Sequence, residues 1–168
     1  MKHVTSAVVF ASIFALQSSP ALAQTRPDFS GTWVMDAARS QSAVQDEPIR
    51  SMTVVITQAA IDLTIETHRD DKQQTITYKP GSADSLNAVN ARSNLLSSTW
   101  YWDGPRLVTE TLGDVNGATM RTRQVHALDP SGAEMTVETL VVVEHGYTLR
   151  GAQNYGIGKD IFRKVQQK

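Results

Sequence analysis

Apolar and polar residues alternate in short runs along most of the chain, with a period of two rather than 3.6. Ser51–Gln58 sets Met52, Val54 and Ile56 against Thr53, Val55 and Thr57, and Ile61–His68 sets Ile61, Leu63 and Ile65 against Asp62, Thr64 and Glu66. Side chains of a strand point alternately to its two faces, so this pattern predicts half-buried strands. The runs are rich in Val, Ile, Thr and aromatic residues and are bounded by Gly, Pro, Asp and Asn, which break strands and form turns. Further strands are predicted at Thr32–Asp36, Gln74–Lys79, Arg92–Trp102, Arg106–Leu112, Thr119–Leu128, Glu134–Glu144, Gly146–Arg150 and Lys159–Val165. Turns fall at Arg69–Lys72, Asp103–Pro105, Asp114–Gly117 and Asp129–Gly132. Ala37–Arg50, with room for a short helical turn, and Pro80–Ala91 read as polar loops.

Of these ten runs eight or nine count as strands in sequential hairpins, and with no amphipathic helix long enough to cover a sheet they must bury one face and also hide their edges. Closing the sheet on itself does both. The fold expected is therefore all-β: an antiparallel up-and-down β-barrel of about eight or nine strands without a C-terminal helix. A sandwich is the competing architecture. About eight strands enclose just enough room for side chains or one small ligand.

The N-terminus breaks the pattern. Lys2 precedes an apolar run from Ala7 to Leu16, then Ser18, Ser19 and Pro20, then Ala21-Leu22-Ala23. This order reads as a signal peptide over residues 1–23, cleaved before Gln24, and is too short to span a bilayer comfortably. The expectation is an exported protein, periplasmic or extracellular, with residues 24–168 as one domain.

The whole chain has 16 basic and 17 acidic residues. Residues 1–23 carry one basic residue and no acid, so the remainder holds 15 and 17, a balance of −2. No basic cluster offers a footprint for nucleic acid or anionic lipid. There is no cysteine, which excludes disulfides, thiol nucleophiles and thiolate metal sites. No phosphate loop, dinucleotide fingerprint, nucleophile elbow or zinc motif occurs, so no cofactor and no metal are expected.

Four segments in order carry a resemblance: Asp28-Phe29-Ser30-Gly31-Thr32-Trp33 with Asp36-Ala37-Ala38-Arg39-Ser40; Trp102-Asp103-Gly104 with Leu107–Thr111; Leu128–Gly132 with Met135-Thr136-Val137; and Ile161–Lys164. Together they resemble small secreted bacterial lipocalin-like proteins, mostly of unassigned function. A Thr-Asp-Tyr-type stretch and a C-terminal helix, both features of true lipocalins, are missing. The resemblance implies a barrel with a binding cavity, Gly31 at a tight bend, and Trp33 plugging one end beneath a cation from the last strand. Arg163 and Lys164 are the candidates for that cation, and Arg163 is the structural residue expected beside Gly31 and Trp33.

Hairpin parity names the lining. A loop from Asp103 to Arg106 pairs Trp102 with Leu107, putting Trp100, Thr109 and Thr111 on the same face. The next hairpin groups Leu128, Met135 and Val137 with His126, Gln124 and Thr122. If these faces point inward, Trp100, Trp102, Thr109, Gln124, His126 and Met135 are the expected ligand-binding residues of a mostly apolar pocket. His126 is also the one candidate general acid or base, although no partner spacing marks a dyad. The function expected is a non-enzymatic carrier or sensor for a small apolar or amphipathic molecule. The alternatives are a barrel enzyme of isomerase, hydratase or cyclase type using His126, and a packed barrel acting through its surface loops.

Overall fold

The computed structural model describes residues 26–43, 49–81, 95–115, 117–144 and 155–166. The expected signal peptide, the expected strand Gly146–Arg150 and most of the Pro80–Ala91 loop lie outside the described residues. Among the described residues nine strands form the sheet: β1 (Gly31–Met35), β2 (Met52–Gln58), β3 (Leu63–Arg69), β4 (Lys72–Pro80), β5 (Leu95–Asp103), β6 (Arg106–Val115), β7 (Ala118–Leu128), β8 (Glu134–Glu144) and β9 (Tyr155–Lys164). They pair in chain order, and β9 returns to β1 to close a barrel. Closure agrees with the expectation from sequence. So does the register of the hairpin between β5 and β6, in which Trp102 pairs with Leu107 and Asp103 with Arg106. One apolar position moves: Ile61, expected at the start of a strand, lies in the β2–β3 turn and is 69% exposed.

The barrel departs from a purely antiparallel meander at one junction, and counting shows why it must. A walk around a closed ring has to return to its starting direction, so the number of antiparallel junctions is even. Nine strands make nine junctions, so at least one is parallel. That one is β4–β5, joined only at Lys79↔Thr99 and Pro80↔Trp100. Gly81 N–H to the Trp100 carbonyl at 3.0 Å and the Ser98 hydroxyl to the Thr77 carbonyl at 2.9 Å reinforce it. Both strands run toward the same end of the barrel.

That end is closed by side chains. The segment before β1 crosses it, pinned by Gln58, whose Oε1 accepts from Phe29 N–H at 3.2 Å and whose own N–H donates to the Ser30 hydroxyl at 3.2 Å. Phe29 and Trp33 are fully buried, and the Trp33 indole N–H donates to the Phe29 carbonyl at 2.9 Å. Leu63, Leu107, Met135, Trp100 and Phe162 pack with them into one core.

The cation over Trp33 is Lys164, its Nζ 5.2 Å from the ring centroid. Arg163, the residue expected there, faces outward and donates to Asp36 at 2.7 Å. The register decides it: Trp33 pairs with Lys164 and Val34 with Arg163, and directly opposed residues share a face. A side chain at Gly31 is disfavoured for two reasons. Its φ of +133° is closed to ordinary L-residues, and a Cβ there would stand 2.8 Å from the Lys164 side chain that covers Trp33.

Candidate functional site

Above the plug, the inward faces of β2, β3, β4, β6, β7, β8 and β9 surround a cavity of about 810 Å³. This is within the range of small-molecule sites, roughly 300–1,000 Å³. Its walls are mainly apolar, from Met52, Val54, Ile65, Ile76, Met135, Val137 and Phe162. These side chains alternate with outward polar ones, so the period-two pattern of the sequence is what hollows the barrel. Arg69, Lys72 and Gln73 beside the β3–β4 turn, and Gly113, Asp114 and Met120 beside the β6–β7 turn, ring the opposite end.

The six expected ligand-binding residues divide. Gln124, His126 and Met135 line the cavity. Trp100, Trp102 and Thr109 point inward too, but they do not reach it. The two indoles meet edge to face at 6.0 Å, and Phe29 lies 6.1 Å from Trp102. Thr109 is buried beneath them, hydrogen-bonded to Tyr78. These three belong to the plug, because the pairs Trp102↔Leu107 and Trp100↔Thr109 fall at the closed end, where strands converge on the crossing segment. Arg26 covers Trp102 at 5.5 Å as Lys164 covers Trp33. The Trp100 indole N–H is buried without a hydrogen-bond partner among the described residues.

His126 sits at the boundary of plug and cavity. It is buried, stands edge-on to Phe29 at 6.4 Å, and has Nδ1 3.2 Å from the Leu107 carbonyl oxygen. A carbonyl only accepts, so this contact places the proton on Nδ1 and leaves Nε2 as the ring's acceptor. Burial pushes the pKa down to about 4, with the Leu107 carbonyl opposing it. The ring is therefore neutral near pH 7, and its hydrogen bond goes to main chain rather than to a carboxylate.

Among the polar lining residues not singled out from the sequence are Tyr78, Thr139 and Asp160. Tyr78 on β4 is almost fully buried, and its pKa is pushed up to about 12 by that burial. Thr139 on β8 accepts from Gln124 Nε2 at 3.4 Å. Asp160 on β9 is 7% exposed, and burial raises its carboxyl above the usual aspartate range. Its Oδ1 accepts from the Ser42 hydroxyl at 2.6 Å.

Ser42 arrives by a strap. After β1, a one-turn 3-10 helix at Ala37–Arg39 leads to Gln41, which exchanges main-chain hydrogen bonds with Lys159 at 2.8 and 2.7 Å. Outside the barrel this turn is tied down by ion pairs of Arg39 with Asp36 and Glu134, and of Arg163 with Asp36. The chain then passes over Gly158, where an added Cβ would stand 2.2 Å from the Ala43 nitrogen. Only a glycine admits this crossing. Gly158→Ala is expected to lower stability by about 1–3 kcal/mol in a urea melt, the usual penalty for overpacking. An unchanged midpoint would show that the strap does not rest there.

No family model matches the chain, and no curated protein matches it. Among solved structures it is similar to Human cRBP IV, at 18% identity over 83% of this chain and 99% of that one, with a TM-score of 0.47. It is similar to a single-substitution mutant of the fluorescent protein UnaG, at 14% identity over 83% and 97%, with a TM-score of 0.48. It is also similar to the REP1-NXSQ fatty acid transporter, at 11% identity over 83% and 97%, with a TM-score of 0.39. Likenesses this remote carry no argument about ligand or activity, and the architecture rests on the strand pairing of the chain itself.

Proposed function

We propose that this chain is an exported carrier or sensor that holds a small apolar or amphipathic molecule inside its barrel. Export rests on the signal-peptide pattern of residues 1–23. Ligand binding rests on one observation: the barrel is plugged at one end and hollow at the other, with a cavity of about 810 Å³ whose wall surface is more apolar than polar. A packed module acting through its loops has no use for that space, since voids cost the contacts their linings forgo. For the acid–base reading His126 has no dyad partner: its Nδ1 is held by the Leu107 carbonyl, and no carboxylate among the described residues hydrogen-bonds the ring.

Native mass spectrometry of protein purified from its host tests the reading directly, with a stoichiometric small molecule as the expected result. Repeated absence of any adduct counts against it. Filling the cavity is the complementary test. Ile76 is a partly buried wall residue of β4, and Ile76→Trp is expected to weaken binding of a fluorescent apolar probe by about tenfold or more, equivalent to roughly 1.4 kcal/mol. Equal affinity in a folded variant would place the probe outside the barrel.

A further inference from the structure

Asp160 is the one carboxylate among the described residues that is both buried and turned into the cavity. Its orientation follows from register: Asp160 pairs with Val137, and Phe162 with Met135, all on the inner face. Among the described residues its single side-chain hydrogen bond is to Ser42, and it makes no ion pair with any of them. The basic neighbours in sequence are engaged elsewhere. Lys159 faces Glu138 outside the barrel, Arg163 holds Asp36, and Lys164 lies over Trp33. The other polar groups nearby, Thr139, Gln124 and neutral His126, bring no positive charge.

A buried carboxylate without a counter-charge is unfavourable unless something cationic or strongly donating meets it. The burial that raises its pKa is the same energetic cost seen from the proton's side. Arg69 and Lys72 at the rim are the cations among the lining residues, and neither pairs with Asp160. We propose that Asp160, with Ser42 holding its Oδ1, is the head-group subsite of the cavity and accepts the protonated amine of an amphipathic ligand. The tail then lies along Val137, Met135, Phe162 and Ile65. The inference rests on the ligand-cavity reading and adds to it a class of ligand: an alkyl or arylalkyl amine rather than a fatty acid.

Three probes with the same twelve-carbon tail and different heads test it: dodecylamine, 1-dodecanol and dodecanoate, each competed against a fluorescent apolar dye below its aggregation threshold. The full chain is expected to bind dodecylamine about tenfold or more tightly than dodecanoate, with the alcohol between them, as a charge-assisted hydrogen bond requires. Asp160→Asn is expected to bring the amine-to-carboxylate ratio near unity while leaving the alcohol within a few-fold. Ser42→Ala should shift the ratio the same way by less, and it keeps the proposal testable if the Asn variant does not fold. Dodecanoate binding as tightly as the amine would overturn the subsite and move the head to Arg69 and Lys72 at the rim, as would an unchanged ratio in folded Asp160→Asn. Failure of all three probes to bind would overturn the ligand cavity itself, and the subsite with it.

Discussion

Trp33→Ala is expected to destabilise the fold by about 3–5 kcal/mol, the range for large aromatic truncations in a core. Trp33 is fully buried, its indole N–H holds the Phe29 carbonyl, and Lys164 roofs its ring. Removing it opens a void beneath Lys164, releases the segment that carries Phe29, and leaves the Phe29 carbonyl without its partner. The roof itself contributes far less: a cation over an aromatic face stabilises by about 0.5–1 kcal/mol at exposed sites. Lys164→Met, which keeps most of the aliphatic stem against Gly31, should therefore shift a guanidinium melt only slightly. The pair of melts separates plug from lid. A Trp33→Ala loss near 1 kcal/mol would mean that Phe29 and the neighbouring Trp102 close the barrel without it.

The strand pattern was legible because the barrel buries one face of every strand, and the physics that forms the sheet is written as alternation. The β5–β6 and β7–β8 registers followed from turn lengths alone, and with them the sharing of one face by Trp100 and Thr109 and of another by Gln124, His126 and Met135; that these faces point inward is read from the closed barrel. What alternation does not encode is height along the barrel. Trp100 and Gln124 share the interior, but one is packed into the plug and the other faces the cavity. That difference comes from the closed-end crossing of Phe29 and from the convergence of β4 and β5, both tertiary facts. Parity at the last strand was a separate gap. A one-residue choice between Arg163 and Lys164 flips every side chain of β9. With Arg163 inward, Asp160 falls on the outside and reads as one more surface charge. With Lys164 inward, Asp160 lies two side chains deeper in the same row as Phe162. The same ambiguity therefore misassigned the cation and hid the acid. Ser42 was beyond reach for a different reason, since its strap is placed by the bare backbone of Gly158.

The wild-type protein is expected to lose about 2–3 kcal/mol of stability through His126 alone between about pH 7.5 and pH 4.5. In the folded state burial holds this imidazole's pKa at about 4, against an ordinary value of 6.5. Between those values the unfolded chain takes up a proton that the folded chain refuses. Stability is thus present above about pH 6.5 and is lost as the pH falls toward 4, by about 1.4 kcal/mol for each pH unit that separates the folded and unfolded pKa. Asp160 works in the opposite direction. Its raised pKa means the folded protein accepts that proton more readily than the unfolded chain, so acidification relieves its burial. The raw acid slope mixes the two, and the measurement is a difference. His126→Asn keeps an N–H donor at the Nδ1 position for the Leu107 carbonyl without a titrating ring, and denaturant melts of both proteins at the two pH values isolate the histidine. The variant should begin less stable, because its amide fits the edge of Phe29 poorly, and should close the gap on the wild type as the pH falls. A gap that stays constant would mean that His126 titrates as freely as a surface histidine, with water at its ring and the plug ending below it.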